Sequence, residues 1–303
     1  MSLTADFVEP GVVDLASVAR SRATVERSLS GYLVEEDVEP KAIHRAMRYA
    51  VLNGGHRWRP LLTMFAAEAC GGGETDVLPA ACAFELIHCS SLILDDLPCM
   101  DNAELRRDRP TCHRAFGEAV AVMASIGLLS LAHRLILENC RTLSVAPWAT
   151  QRLLHDVLSL TASEGMIAGQ FADLDNDGLP LDGTGLAAAH HSKTGLLCIA
   201  AAKAGGLLAG ASDRQIDRLE RYAMQLGLAY QIQDDLQDAP GELGASADSD
   251  AGKTTFVSFY GPSGAQARLR SVTESAFEAL TPFGAGAGKL RELASRMVPA
   301  ARA

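Results

Sequence analysis

Aromatic residues and paired cysteine motifs are scarce in this sequence of 303 residues. Phe, Trp and Tyr together make up 5% of the chain, and β-branched residues rarely alternate with polar ones, so the composition disfavours a sheet-rich fold. There are seven cysteines, an odd number, and no two are arranged as C-x-x-C. This pattern argues against a disulfide framework or a zinc site. We therefore expect reduced, mostly buried thiols in a cytoplasmic protein.

Positive charge is also in short supply. The chain has 27 Lys and Arg against 37 Asp and Glu, which gives a formal net charge of −10 and a pI near 5.3. Such a chain has no general basic field for nucleic acid, and we expect no nucleic-acid partner. An anionic ligand would need a local group of cations, or metal ions held by acidic residues.

Two kinds of long apolar segment are missing as well. The N-terminus has no basic stretch followed by an apolar one, and no uncharged apolar run reaches the roughly 18 residues of a membrane span. We expect neither a signal peptide nor a membrane-spanning segment.

Helical spacing of apolar residues runs through nearly the whole chain, in which alanine and leucine dominate. Helices are predicted over 12–29, 41–52, 60–70, 76–96, 117–140, 148–168, 186–209, 213–237, 263–281 and 287–298. The charged segment 101–113 is predicted to be a loop, and 239–252 a flexible segment. No repeat or linker divides the chain, so the prediction is a single all-α domain, one large helical bundle over residues 1–303.

Two aspartate clusters each follow an apolar helical stretch. The first contains Asp95, Asp96 and Asp101, with a proline between the last two that requires a bend in the chain. The second contains Asp234 and Asp238, four residues apart on one helical face. Adjacent carboxylates at the end of a core helix repel each other and need a cation, and hard oxygen ligands suit Mg²⁺. One such cluster is usually a solvated helix end, whereas two matching clusters favour a metal-bridged diphosphate.

Cations that could hold a diphosphate lie close to these clusters or beside glycine or threonine. They are His56, Arg57 and Arg59 after a double glycine, Arg106 and Arg107 after the first cluster, and Lys193 and Lys253. His88 lies two helical turns before Asp95 on the same face. It could be a hydrogen-bonded core histidine, but its alignment with Asp95 favours a ligand-facing role.

These motifs resemble those of the trans-isoprenyl diphosphate synthases. The resemblance rests on residues 54–60 (GGHRWRP), 95–111 (DDLPCMDNAELRRDRPT), 169–170 (GQ), 193–195 (KTG) and 231–238 (QIQDDLQD), which occur in the family's order. It covers about residues 50–260. The first aspartate motif and residues 250–255 (DAGKTT) are most similar to geranylgeranyl diphosphate synthases of bacterial carotenoid pathways and their plant relatives.

The resemblance implies an all-α bundle around a central active-site cavity, usually a homodimer, that uses Mg²⁺, probably three ions once diphosphate is bound. It implies a prenyltransferase that condenses isopentenyl diphosphate with an allylic diphosphate and releases pyrophosphate. It assigns the metal to Asp95, Asp96, Asp101, Asp234 and Asp238. It assigns the allylic diphosphate to Arg106, Lys193, Gln231 and Lys253, with Thr194 beside the allylic group, and isopentenyl diphosphate to His56, Arg59, His88 and Arg107. The residues taken as catalytic are Asp95, Asp96, Lys193 and Asp234.

Two positions depart from the family pattern. His56 stands where lysine is usual, so the charge there should depend on pH. Gly244-Ala245 stands where a glycine-lysine pair is common, so one phosphate contact is expected to be missing.

Product length should depend on the space beyond the first aspartate cluster. Ser90 and Ser91 lie five and four residues before Asp95, roughly 6–7.5 Å along a helix. Because both are small, we expect room beyond a fifteen-carbon chain and a geranylgeranyl product. If these serines do not limit the product, Ile87 or residues near Met123 and Ile126 are the next candidates. The alternatives are a farnesyl diphosphate synthase, a terpene cyclase and an inactive regulatory subunit of such a synthase.

Overall fold

The structure, a computed structural model, describes residues 15–174, 195–237 and 255–296. These residues form α-helices with one small hairpin, which confirms the predicted all-α class. The helices are α1 (Leu15–Tyr32), α2 (Lys41–Val51), α3 (Trp58–Ala69), α4 (Leu78–Asp95), α5 (Cys112–Phe116), α6 (Glu118–Thr142), α7 (Pro147–Thr161), α8 (Met166–Leu174), α9 (Leu196–Leu208), α10 (Asp213–Gln237), α11 (Phe256–Ala279) and α12 (Gly288–Ser295). A 3₁₀ helix (Thr281–Ala287) precedes α12, and the hairpin consists of β1 (Leu105–Arg106) and β2 (Arg109–Pro110).

Helix α4 lies in the middle of the bundle. It packs against α6 and α3, while α9 packs against α3 and α10, and α10 packs against α11. Eleven residues of α4 are buried, among them Phe84 and Leu86, as expected for a helix that is apolar on nearly every side. The aspartate cluster at its C-terminal end is therefore anchored by the core.

Length and composition alone would allow α4 and α6 to cross a membrane. However, these two helices pack against each other. The bundle buries 61% of the apolar 18-residue stretch of α4 and 44% of the corresponding stretch of α6. Helices at the core of a large bundle have this same composition. The described residues thus contain no clear membrane span.

The predicted helix over 148–168 is wrong at one point, because the chain breaks between α7 and α8. Ala162 is extended, with φ −84° and ψ −170°, and Gly165 turns back to donate its N–H to the Ala162 carbonyl at 2.9 Å. A Cβ on Gly165 would lie 2.2 Å from the Leu160 carbonyl oxygen, so only glycine fits this turn. The predicted loop over 101–113 also differs, since it contains the hairpin and the start of α5.

All seven cysteines are free thiols, as expected from their spacing. Cys99 is exposed and Cys70 is partly buried, and the other five are buried. The first part of the predicted helix over 186–209 and the segment 239–252 lie outside the described residues.

Candidate active site

The first aspartate cluster forms where α4 ends and the chain turns back on itself. Asp95 is the last residue of α4, and Asp96 continues its hydrogen bonding by donating to the Leu92 carbonyl at 3.1 Å. After the turn, the backbone N–H of Asp101 donates to the Asp95 carbonyl at 2.9 Å. The bend expected from the intervening proline is confirmed, and it brings the backbones of Asp95 and Asp101 together.

The hairpin that follows positions Arg106 and Arg107. Its two-residue loop, Arg107 and Asp108, has φ values of 53° and 61°, and positive φ at both positions is the mark of a type I′ turn. Arg106 therefore lies on a strand and Arg107 at the tip. Tyr49 of α2 donates its O–H to the Pro110 carbonyl at 2.7 Å, which fixes the hairpin to the bundle.

Arg106 and Asp96 form an ion pair. Its Nε donates to Oδ1 and Oδ2 at 2.9 Å each, and its Nη2 donates to Oδ1 at 2.7 Å. Burial by itself would lower the pKa of Arg106, but the hydrogen bond to Asp96 and the charges of Asp96, Asp95 and Asp101 raise it instead. All three carboxylates of the cluster thus act on one guanidinium, and Asp96 is buried against it.

The donor set of this cluster fits a substrate-bridged magnesium ion. Among the described residues, no three His, Cys, Asp or Glu side chains converge as a group that could hold a metal ion. Magnesium usually binds through one or two carboxylates plus substrate phosphates, and keeps several waters. The carboxylates of this cluster that could take up such an ion are Asp95, Asp96 and Asp101, of which Asp96 also binds Arg106.

A double glycine before α3 contacts the hairpin tip. Gly54 and Gly55 have φ values of 76° and 125°, which L side chains rarely adopt. A Cβ on Gly55 would lie 2.7 Å from Nη2 of Arg107, and Nη1 of Arg107 donates to the Gly54 carbonyl. The glycines therefore let the backbone touch a guanidinium, and they place His56 beside the hairpin tip.

His88 of α4 lies among arginines. Burial, and then the charges of Arg59, Arg107, Arg106 and Arg57, lower the pKa of His88 well below its ordinary value. A positive field of this kind keeps the imidazole neutral, able to donate one hydrogen bond and accept another. His88 therefore lies close both to arginines that follow the double glycine, Arg57 and Arg59, and to arginines that follow the first aspartate cluster, Arg106 and Arg107.

The four arginines around His88 differ in their partners. Arg57 and Arg106 are each bound by buried carboxylates, whereas for Arg59 and Arg107 the described part of the chain supplies no carboxylate partner. The Nε of Arg59 is buried without a hydrogen-bond partner among the described residues. An unpaired buried N–H is costly, so Arg59 and Arg107 are the cations suited to an anionic ligand.

His56 is subject to the same positive field. Its pKa is lowered by burial and then by the charges of Arg22 and Arg107, while Glu85 acts in the opposite direction. A lysine, as the family pattern has it, would keep its charge at neutral pH, but His56 is largely neutral there before a ligand binds.

The second cluster lies at the end of α10. Asp234 is exposed and Gln231 is partly buried. Burial and then the charge of Asp234 raise the pKa of the neighbouring Tyr230, whereas the charges of Arg59 and Arg107 act against that rise. This end of α10 therefore faces the same cations that surround His88.

The remaining predicted site residues are only partly covered. Asp235, beside Asp234, accepts the backbone N–H of Phe256 at 2.6 Å, so it helps to start α11. Four predicted residues lie outside the described residues, namely Lys193, Thr194, Asp238 and Lys253.

Ser90 lies between α4 and α6. Its Oγ donates to the Ser125 carbonyl at 3.1 Å and is 2.9 Å from the Ser125 Oγ, which in turn donates to the Ser90 carbonyl at 3.0 Å. Ser91 is partly buried and bonds to its own helix through the His88 carbonyl. The small size of Ser90 thus permits close contact of the two helices, and Ser125 is a partner that the sequence reasoning missed.

Sequence reasoning also missed the network around Arg57. Arg57 has φ 57° just before α3, and its guanidinium donates to Glu26 at 2.8 and 3.0 Å, to Glu85 at 2.6 Å and to the Val51 carbonyl at 2.7 Å. It therefore joins α1, the end of α2 and α4 behind the site. One signal was available, because Glu85 is the only charged residue in the apolar run of α4 before Asp95.

Comparisons with known proteins give a family match and several relatives. Residues 40–282 match the polyprenyl synthetase family. The chain is 43% identical over 231 residues to the heterodimeric geranylgeranyl pyrophosphate synthase large subunit 1, chloroplastic, of Arabidopsis thaliana, covering 74% of this chain and 62% of the relative. It is 40% identical over 260 residues to a farnesyl diphosphate synthase of Geobacillus stearothermophilus, covering 84% and 87% of the two chains.

The fold has a solved counterpart as well. An FPP/GFPP synthase from Zymomonas mobilis superimposes with a TM-score of 0.83 at 32% identity, over 93% of this chain and 98% of that one. The family match and this superposition, together with the aspartate clusters, show that the chain belongs to the polyprenyl synthetase family.

Proposed function

We propose that the chain is a magnesium-dependent prenyltransferase that joins isopentenyl diphosphate to an allylic diphosphate and releases pyrophosphate. The observation that carries the proposal is the pair Arg59 and Arg107, two cations without a described carboxylate partner beside two aspartate clusters. The names of the relatives support it.

The proposed reaction needs a site that binds charge and excludes water. The allylic C–O bond breaks with its electron pair passing to the diphosphate, the double bond of isopentenyl diphosphate attacks the allylic carbon, and a proton then leaves to the released pyrophosphate. Bound Mg²⁺, three ions in the family pattern, would neutralise charge on the departing diphosphate. The residues that would hold the metal are Asp95, Asp96, Asp101, Asp234 and Asp238.

The chain's own residues would bind the two diphosphates and exclude water. Arg59 and Arg107 would hold the second diphosphate by charge-assisted hydrogen bonds, with neutral His88 as a further donor. The buried apolar faces of α4 and α6 would keep water from the allylic cation. Arg106, Lys193, Gln231 and Lys253 are proposed to hold the allylic diphosphate, with Thr194 beside the allylic group, as the family pattern implies.

Geranylgeranyl diphosphate is the proposed product, with farnesyl diphosphate as the alternative. The small side chains of Ser90 and Ser91 carry this proposal, because neither of the positions five and four residues before Asp95 has a bulky side chain. The relatives include synthases named for each product, so the family alone does not choose.

The test is incorporation of radiolabelled isopentenyl diphosphate into allylic starters, with product chromatography. We expect labelled products only when Mg²⁺ is present, and a loss of at least about a hundredfold in Asp95→Asn and Asp234→Asn, as for loss of groups that stabilise developing charge. Asp217→Asn, an exposed aspartate on the same helix as Asp234, is the matched control and should retain activity. Full incorporation without divalent metal, or by both site variants, would contradict the proposal.

We further propose a cytoplasmic homodimer. Met123, Ile126 and Leu137 of α6 are 45%, 59% and 50% exposed and lie at helical spacings on one side, and such apolar patches mark interaction surfaces. Analytical ultracentrifugation should give a dimer for the chain and a monomer for Ile126→Glu. A monomeric chain, or a variant that still dimerises, would overturn this assignment.

A further inference from the structure

Asn53 contacts both strands of the hairpin through its side-chain amide. It lies just after α2, which ends at Val51. Its Nδ2 donates to the Arg106 carbonyl at 3.3 Å, and its Oδ1 accepts from Nη1 of Arg109 at 3.1 Å. Arg106 and Arg109 face each other across the two strands. One amide therefore bridges the pair of residues that flank the turn.

The two partners fix the direction in which this amide points. A carbonyl oxygen can only accept a hydrogen bond, and a guanidinium can only donate one. Nδ2 must therefore face Arg106 and Oδ1 must face Arg109, as they do. Leucine, of similar size, has neither group, and an ionised aspartate lacks the donor. The contact thus requires a side chain with a donor and an acceptor together.

Strand β1 depends on this contact more than β2 does. The Arg106 carbonyl belongs to the planar peptide that leads into Arg107, so holding it sets the direction in which the turn leaves β1. Leu105, the other residue of β1, is 64% exposed and gives the strand little apolar anchorage. Strand β2 has a separate attachment, the hydrogen bond from Tyr49 to the Pro110 carbonyl.

Arg107 is held at both ends by consecutive residues. Asn53 fixes the peptide before it, and the Gly54 carbonyl accepts a hydrogen bond from its Nη1. Neither group carries a charge, so together they orient the guanidinium without neutralising it. Arg106 is different, because Asp96 binds its guanidinium through both carboxylate oxygens. Loss of the Asn53 amide should therefore displace Arg107 more than Arg106.

We propose that Asn53 is a positioning residue, which holds the hairpin so that Arg107 presents its charge beside the double glycine, where isopentenyl diphosphate would bind. The role in catalysis rests on the proposed function, whereas the hold on the hairpin does not. The two parts are tested by separate measurements.

Hydrogen exchange of the free protein tests the hold on the hairpin. Asn53→Leu removes both hydrogen bonds and Asn53→Asp removes only the donor. We expect the amides of residues 105–110 to exchange about fivefold faster in both variants, the effect of one lost hydrogen bond on an opening equilibrium. Exchange within α4 should stay unchanged. Arg45→Gln, at an exposed cation on α2, is the matched control and should exchange like the parent chain.

Two results of this measurement would overturn the proposal. One is unchanged exchange of the hairpin in Asn53→Leu. The other is unchanged exchange in Asn53→Asp, which would mean that the bond to the Arg106 carbonyl does not hold β1.

The kinetic test compares the KM values of the two substrates. Asn53→Leu should raise the KM for isopentenyl diphosphate about fivefold, as for the loss of one hydrogen bond, with a smaller rise for the allylic substrate and little change in kcat. Partial unfolding would instead lower kcat and leave both KM values unchanged. Arg45→Gln should match the parent chain in all three constants.

A double variant shows whether the effect passes through Arg107. In an Arg107→Gln background, Asn53→Leu should raise the KM for isopentenyl diphosphate by less than about twofold, because the cation that it positions is already gone. A full further rise, equal rises for both substrates, or an unchanged KM in the single variant would overturn the role in catalysis. If the chain lacks prenyltransferase activity but the exchange rates change as expected, the proposed function and the role in catalysis fail, and the hold on the hairpin stands.

Discussion

Replacing Arg57 by methionine should destabilise the chain by roughly 3–5 kcal/mol, the cost of removing one partner of a buried ion pair. The guanidinium is fully buried, and it is shared between two carboxylates of very different exposure. The side chain of Glu26 is 34% exposed and that of Glu85 is 3% exposed. When the arginine is lost, Glu26 can turn to water, but Glu85 is left as a buried charge. The penalty should therefore come mainly from Glu85.

This reasoning predicts the result of a double-variant comparison. Glu85→Gln removes the stranded charge, so the double variant Arg57→Met/Glu85→Gln should be more stable than Arg57→Met alone. A surface change, Arg27→Met on α1, should stay within about 0.5 kcal/mol of the parent chain. Urea denaturation at a fixed protein concentration measures all four free energies of unfolding. The concentration is held constant because an oligomer's stability depends on it.

Two outcomes would refute the account of this network. One is a loss below about 1 kcal/mol for Arg57→Met, as for an exposed pair. The other is a double variant no more stable than Arg57→Met, which would mean that the cost arises from lost packing and not from Glu85. Because Arg57 lies between His56 and Arg59, we also expect folded Arg57 variants to raise the KM for isopentenyl diphosphate more than that for the allylic substrate.

Three further predictions concern the site itself. The KM for isopentenyl diphosphate should fall as the pH decreases below about 6.5, because the pKa of His56 is lowered from that ordinary value and the imidazole gains its charge only below it. His56→Lys should flatten the profile relative to the parent, and parallel profiles would contradict this role. Cys99 should be the one thiol that reacts quickly with Ellman's reagent, since it alone is exposed. Mg²⁺ with diphosphate should slow that reaction if the metal binds at Asp101. Cys99→Ser should remove the fast phase, and a thiol that Mg²⁺ and diphosphate do not protect would argue against a metal at Asp101. Ser90→Phe should shorten the main product and lower stability by about 1–3 kcal/mol through overpacking against Ser125; chromatography of an unshortened product would place the chain-length limit elsewhere.

The helices were predictable wherever the chain marks their ends with glycine or a clear polar break. The helix predicted over 41–52 ends at Val51, before a double glycine, and the one over 213–237 matches α10 to the residue. The hairpin could not be predicted in the same way. Its strands have two residues each, too few for any periodicity, and its turn uses Arg107 and Asp108 instead of the usual asparagine-glycine.

The residue types of the site were predictable, but their pairing was not. Adjacent carboxylates after an apolar helix and arginines close behind them indicate charge chemistry from sequence alone. Which arginine meets which carboxylate depends on the turn after α4 and on the docking of the hairpin against Tyr49. The reasoning therefore identified both Asp96 and Arg106 but did not predict their ion pair. The metal role of Asp96 and the diphosphate role of Arg106 stay predictions.

The arginines around His88 explain how a chain of net charge −10 can present positive charge at one place. Arg57 is neutralised by Glu26 and Glu85 and serves as a fixed support, and Arg106 is neutralised by Asp96. Arg59 and Arg107 keep their charge available, and the first also keeps a buried N–H without a described partner. A site in which every arginine had its own carboxylate would have little affinity for a diphosphate, because the anion would have to displace an internal ion pair. Among the described residues, two of these cations are thus paired with carboxylates and two are not, and this division would let an acidic protein hold the proposed diphosphate substrate.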